Sequence, residues 1–386
     1  MVKQYYDENK SLKHLIKWPG GKEKELKFIF PNVPENINNY YEPFVGGASV
    51  FMAFNAENFF INDKSSELIN LYKYIAANDK GFYDWARAIE TAWTNMLFFA
   101  KKSNLENIFM QFRNDEIDEE ELKKNVQEYL DSNKENVLNV LPKKFIEFSD
   151  ILFSETRINL TRKLQRMKKI EQGKCILPEN DIKKNIETAF MSALYMYFRF
   201  LYNDNEIKSN TPFHTALFLF IRNYTYSGMF RYNDKGDFNV PYGGMGYNEK
   251  SLENKLKYYQ SQCVLKKFAT TKIENMDFED FFKQNVPEKD DFVFLDPPYD
   301  SEFSTYAQND FTKDEQKRLA NYLCNECKGK WMLVIKATPF ILSLYKDKGL
   351  NIKSFHKTYT VSFMNRNDKK AEHLIIMNYE NKDIIN

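Results

Sequence analysis

The apolar run Phe292-Val293-Phe294-Leu295 stops at Asp296-Pro297-Pro298-Tyr299, and this junction constrains the fold more than any other stretch of the chain. A short hydrophobic run ended by two residues that lack an N–H reads as a buried strand with an acid and an aromatic at its carboxyl end. In open α/β sheets that end is where ligands bind. Asp296 and the Pro297 carbonyl are hydrogen-bond acceptors, and neither Pro297 nor Pro298 offers a competing backbone donor. Tyr299 can stack on a flat ring, an interaction of roughly 1–3 kcal/mol per base in single-strand binders. The set suits a planar ring with an exocyclic amine, whose delocalised lone pair becomes nucleophilic once acceptors draw the nitrogen towards tetrahedral geometry. An acidic strand end followed by a plain proline turn fits the same four residues, so the surrounding motifs decide.

Upstream, Tyr41-Glu42-Pro43-Phe44-Val45-Gly46-Gly47-Ala48-Ser49-Val50-Phe51 places adjacent glycines between a strand and a helical pattern. Such a turn lets the backbone approach a ligand and aim amides at it. Seventeen residues after Gly46, the run Phe59-Phe60-Ile61-Asn62-Asp63 reads as a second strand ending in a carboxylate, at the distance where an acid bonds a ribose hydroxyl pair. Neither G-x-x-x-x-G-K-[ST] nor G-x-G-x-x-G spacing occurs, which favours a nucleoside without pyrophosphate. Near the N-terminus, Lys17-Trp18-Pro19-Gly20-Gly21-Lys22 predicts a tight turn that suits an anionic group such as an amino-acid carboxylate, ahead of a helix over Glu23–Phe30.

Taken in order, Trp18–Lys22, Glu42–Phe51, Asn62-Asp63 leading into Leu68–Tyr72, Phe230–Asn233 with Gly236–Pro241, and Asp296–Tyr299 resemble the motifs of the Dam-like, alpha-group DNA adenine-N6 methyltransferases. The resemblance implies a Rossmann-like α/β methyltransferase sheet, S-adenosylmethionine as methyl donor and double-stranded DNA as partner, and it admits a cognate restriction endonuclease. Position by position, it implies Trp18 and Lys22 near the methionine end of the cofactor, with Pro43, Phe44, Gly46 and Gly47 lining its turn. Asp63 would hold the ribose, and Asp277 and Phe278 would take the adenine by an accepted N6 hydrogen and ring packing. Asp296, Pro297, Pro298 and Tyr299 would form the catalytic set. Tyr226, Ser227, Arg231 and Asn233 would contact DNA, Tyr226 and Ser227 near the opened base pair and Arg231 reading a guanine. Two positions depart from the family: Ser227 stands where asparagine is commoner, and Lys336-Ala337-Thr338 replaces a serine-asparagine pair after the strand Trp331–Ile335.

At 386 residues the chain can bury two cores, and its formal net charge of +1 restricts any nucleic-acid surface to a local patch. Four scattered cysteines and four histidines show no disulfide or metal-ligand spacing, so no metal is expected. The polar start Met1–Tyr5 and the lack of a long apolar run point to neither secretion nor membrane insertion, which leaves the cytoplasm. Residues 1–75 and 263–386 alternate turn, strand and helix, with later strands expected at Cys263–Phe268, Phe292–Leu295, Trp331–Ile335, Ile352–Phe355 and His373–Asn378. Residues 76–262 are largely helical in pattern and read as an inserted target-recognition domain, longer than the family usually carries. Within it, Arg222–Asn233 interleaves arginine with aromatics, the turn at Lys235-Gly236-Asp237 predicts a hairpin, and the basic stretch Arg157–Lys174 reads chiefly as a solvated helix face.

The residues alone leave cytosine N4 or an RNA amine open as target, because the same acceptors fit other planar amines. A relative that has lost catalysis and only binds DNA is the reading from a different class. The recognition sequence and oligomeric state are not written in these motifs.

Overall fold

Alternating apolar segments and glycine- or proline-bounded turns resolve, in the computed structural model, into a mixed α/β architecture described over residues 11–208, 211–299, 311–358 and 370–380. The chain divides into two compact units, Met1–Ala77 with Tyr259–Asn386, and Asn78–Tyr258. The polar segment Met1–Tyr5 lies outside the described residues.

Among the described residues of the first unit, seven strands form one sheet: β1 (Asn39–Glu42), β2 (Asn58–Asn62), β3 (Thr271–Glu274), β4 (Phe292–Leu295), β5 (Lys330–Lys336), β6 (Asn351–Thr358) and β7 (Lys370–Met377). Their order is β3-β2-β1-β4-β5-β7-β6. The first five run parallel, while β7 pairs antiparallel with both β5 and β6. This is a Rossmann-like open sheet of the kind that the resemblance implies. Tyr40 lies opposite Phe59 on one side and Phe292 on the other, so β1 is central. All four residues of β4 are buried, as a parallel strand covered on both faces requires. Each such side chain contributes about 1.5–3 kcal/mol by leaving water. The chain leaves β1 towards β2 on one side and enters β4 on the other, so the order reverses between β1 and β4. The carboxyl ends of those two strands therefore flank the switch point where open sheets take ligands.

One strand expectation fails. Cys263–Phe268 is helical, within the helix Gln262–Ala269, and the strand at that place in the order is Thr271–Glu274. The reason is local: Ser261 caps the helix by accepting from the Val264 amide, and Val264 and Phe268, four apart, share the buried face. The helix expected over Glu23–Phe30 is shorter, Leu26–Ile29, and passes into a 3-10 turn at Phe30–Asn32.

Glu42, the last residue of β1, is 2% exposed and accepts from the Tyr40 hydroxyl at 2.7 Å. Burial holds its carboxyl well above the usual range, and the Asp296 charge adds to this, while the Tyr40 hydrogen bond and Lys267 oppose it. A carboxyl with a raised folded pKa contributes its full stability below its unfolded pKa and loses it as pH climbs through the folded value. Glu42→Gln should therefore match the parent in Tm below about pH 4 and exceed it increasingly as pH rises above the ordinary glutamate range. Thermal melts across that window check the sign.

The second unit is helical. Its longest helices are Lys80–Lys101, Ser149–Gly173 and Glu179–Asn203, and the last packs against both others and against Pro212–Tyr224. The basic stretch lies on Ser149–Gly173. There Lys168 is tied to Asp115 at 2.6 Å, burial lowers the pKa of Lys163, and Arg162, Arg166 and Lys169 are exposed.

Candidate active site

The site begins at the turn Trp18–Gly21, closed by the Gly21 amide donating to the Trp18 carbonyl at 3.2 Å, with Gly20 at φ +82°. It delivers Lys22 inward, only 2% exposed. The Lys22 ammonium meets an Asp296 carboxylate oxygen, donates to the Tyr299 hydroxyl at 3.2 Å and donates to the Gly20 carbonyl at 3.1 Å. An ammonium has three N–H donors, so these three acceptors use them all. A carboxylate of the chain itself, Asp296, thus lies beside Lys22. Trp18, the other residue of this turn, stands with its ring against Gly46, at 3.2 Å from where a Cβ on that glycine would sit.

After β1 come Pro43 and Phe44, and then the glycine turn. The Val45 amide donates to the Asn62 carbonyl at 2.9 Å, Gly46 takes φ +46°, and Ala48, at φ +64°, precedes the helix Ser49–Ala53. A Cβ on Gly47 would lie 2.6 Å from the Ile16 carbonyl oxygen, so glycine is required there by the protein's own backbone. Asp63 sits one residue beyond β2 and braces the turn: its Oδ2 accepts from the Gly46 amide at 3.0 Å and its Oδ1 from the Ser65 amide at 2.9 Å. Burial raises its pKa against the lowering effect of those amides. A carboxylate offers about four acceptor positions, and with the Lys64 amide also bonded to it, part of that capacity remains for a hydroxyl.

Asp277 caps the helix Phe278–Gln284, its Oδ1 accepting from the Glu279 amide at 3.0 Å, while its Oδ2 takes the Arg318 guanidinium at 2.7 Å. Arg318 also lies 4.5 Å from the Phe278 ring centre, and Phe44 packs against the same ring at 5.7 Å. Asn62 ties these strand ends together: its amide nitrogen donates to the carbonyls of Pro43, at 3.1 Å, and Met276, at 3.0 Å.

At the end of β4, Asp296 has 17% of its side chain exposed, Pro297 is buried and Pro298 is exposed. Tyr299 is half-buried and meets the fully buried His373 ring edge-on, centroids 5.6 Å apart. Lys336 ends β5 in register with His373. His373 and Arg318, which lie outside the motifs, meet Tyr299 and Asp277 across long sequence separations, so no local spacing marks them.

The four DNA-contact candidates lie together in the second unit. Tyr226, Ser227, Arg231 and Asn233 are all exposed on a loop and hairpin following the helix Pro212–Tyr224, with Tyr232 bridged to Phe238. Ser227 has φ +51°, a left-handed conformation that asparagine tolerates better than serine. The Arg231 guanidinium donates to the Asn239 side chain at 2.8 Å, and the Asn233 side-chain oxygen accepts from the Lys235 and Asp237 amides. Beneath them Arg222, 2% exposed, donates to the Gly228 and Met229 carbonyls at 3.2 and 3.0 Å. Replacing Arg222 with methionine should lower stability by about 1–3 kcal/mol through part-buried carbonyls left without donors. Denaturant melts would measure that loss, and faster amide exchange at 226–229 would locate it.

The profile of the D12 class N6 adenine-specific DNA methyltransferases matches residues 18–174 and 154–361 of this chain. The chain belongs to that family. This methyltransferase is 25% identical over 375 residues to the Type II methyltransferase M.CviBI of Paramecium bursaria Chlorella virus NC1A, covering 95% of this chain and all of that protein. It is 23% identical over 378 residues to the Type II methyltransferase M1.LlaDCHI of Lactococcus lactis subsp. cremoris, covering 96% of this chain and 97% of that one. With the DNA adenine methylase of Vibrio cholerae serotype O1 it shares 22% identity over 377 residues, 95% and 96% of the two chains. Family membership selects adenine N6 over cytosine N4 and an enzyme over a binding module. Among the described residues of the methyltransferase, no helix is long and apolar enough to cross a membrane, and no group of three or more His, Cys, Asp or Glu is placed to hold a metal ion.

Proposed function

We propose that this enzyme works in the cytoplasm on duplex DNA, methylating the N6 of an extruded adenine with S-adenosylmethionine as donor. The observation that carries this reading is the meeting, at the switch point of the sheet, of the glycine turn after β1 and Asp296-Pro297 after β4. The donor set fits the cofactor: Asp63 retains acceptor capacity for a ribose, and Phe44, Asp277 and Phe278 combine aromatic surface with an acceptor beside it. Trp18, Gly46 and Gly47 form a close-packed wall to that turn. Bound there, S-adenosylmethionine supplies an activated methyl group.

Everything else falls to the chain's own residues. Tyr226, Ser227, Arg231 and Asn233, exposed on one hairpin, take the DNA, and extrusion of the base consumes a few kcal/mol of that binding. Asp296 and the Pro297 carbonyl each accept one N6 hydrogen, turning the nitrogen lone pair out of conjugation and towards the methyl group. Tyr299 stacks on the base face, anchored through its hydroxyl by Lys22 and at its ring by His373. The proton released from the methylated nitrogen leaves to solvent, so Asp296 works as an acceptor and need not be a strong base.

The test is product analysis. Incubation with methyl-labelled S-adenosylmethionine and mixed-sequence duplex DNA, followed by hydrolysis to nucleosides, should give labelled N6-methyladenine. Labelled N4-methylcytosine, or cofactor binding without transfer to DNA, would overturn the reading.

A further inference from the structure

Two consecutive prolines leave the catalytic loop short of its own fastenings, because neither Pro297 nor Pro298 can donate a backbone hydrogen bond. The loop is held by side chains from elsewhere. Lys22 grips Asp296 and Tyr299. The Pro298 carbonyl between them is gripped by Gln316, whose Nε2 donates to it at 2.8 Å. Gln316 sits in the first turns of the helix Lys313–Asn325, fixed there by the Thr312 cap, whose side chain accepts from the Glu315 amide and whose carbonyl takes the Gln316 amide at 3.0 Å. It is completely buried, and its Oε1 has no hydrogen-bond partner among the described residues. A buried, half-satisfied amide is less favourable than a leucine of similar shape, so packing gives no reason for glutamine here. The donor on Pro298 does.

We infer that Gln316 is a positioning residue for methyl transfer, acting through the Pro298 carbonyl on the acceptor geometry of Pro297. The proline ring fixes φ at Pro298, so one soft torsion, ψ of Pro298, relates its carbonyl to the peptide plane that carries the Pro297 carbonyl. Holding the Pro298 carbonyl fixes that torsion. The inference rests on the role proposed above for the Pro297 carbonyl.

Two variants of the full chain test it. Gln316→Leu removes the donor and the orphan acceptor together, and should keep Tm and the cofactor Kd close to the parent. Its kcat for methyl incorporation into DNA, at saturating cofactor and DNA, should fall roughly 10–100-fold, as misplacement of a reacting group does. Gln316→Glu makes the donor titratable: protonated, the carboxyl donates to the Pro298 carbonyl, and ionised it repels it. Complete burial raises the pKa of the new carboxyl, so its kcat relative to the parent should fall towards the leucine level as pH rises, whereas the ratio of leucine variant to parent stays flat. A leucine variant with parental kcat, or a glutamate variant whose ratio is also flat, overturns the inference. Rates are read as total methyl incorporated and product identity from the same hydrolysates, so failure of the adenine assignment and failure of the Gln316 role appear separately.

Discussion

Asp296→Ala is expected to reduce methyl transfer by roughly 10²–10³-fold while leaving the cofactor Kd within about threefold, since preorganised electrostatic groups at a reacting centre are worth about that much each. The carboxylates assigned to the ribose and the adenine are held by other groups: Asp63 braces the glycine turn after β1, and Asp277 caps its helix and meets Arg318. Removing the Asp296 carboxylate has a second consequence, because Lys22, almost fully buried, loses its counter-charge. Breaking one side of a buried pair destabilises by about 3–5 kcal/mol. Asp296→Asn separates the two effects: it retains an oxygen for Lys22 but brings an N–H donor towards the amine it should accept from, so it should fold better than the alanine variant and transfer no faster. Calorimetric or fluorescence titration of the cofactor, beside single-turnover transfer, gives both readouts. Parallel loss of cofactor binding and transfer in the asparagine variant would rule out the division of roles.

Why the motifs around these residues were readable, and the contacts between them were not, follows from the range of the forces involved. A buried parallel strand must be a short apolar run, so Phe292–Leu295 announces itself, and a strand-to-helix turn that packs against backbone must use glycine, as Gly47 does against Ile16. Those constraints are local and leave a trace in the order of residues. Cys263–Phe268 misled because a short apolar run fits helix and strand alike, and the Ser261 cap that decides the matter is a single hydroxyl. The partner of Lys22 lies 274 residues away, and that of Gln316 is a backbone carbonyl across a helix start. No periodicity encodes either. For the same reason Lys22 could be recognised as an anion binder while its contact with Asp296 could not: charge type is legible in a lysine beside a tight turn, and its geometry is set by the fold.

Lys22→Met should lower kcat by roughly 10²-fold, with little change in the cofactor Kd, because the ammonium orients two catalytic groups and meets no assigned cofactor residue. Met keeps the stem that packs in this buried position and removes only the charge. The competing role, capture of the cofactor's carboxylate, predicts the reverse: a Kd raised at least tenfold, about 1.4 kcal/mol of lost binding, with kcat at saturation preserved. Lys22→Arg should not rescue, since a planar guanidinium cannot serve three acceptors converging on one nitrogen. Stability gives an independent criterion. Each single variant, Lys22→Met or Asp296→Ala, strands one buried charge, whereas the double variant strands neither. If the two side chains act as one unit, the double variant should unfold at higher denaturant than either single one, with transfer no slower than in Asp296→Ala alone. Additive destabilisation would mean that the pair is coincidental and that Lys22 acts elsewhere.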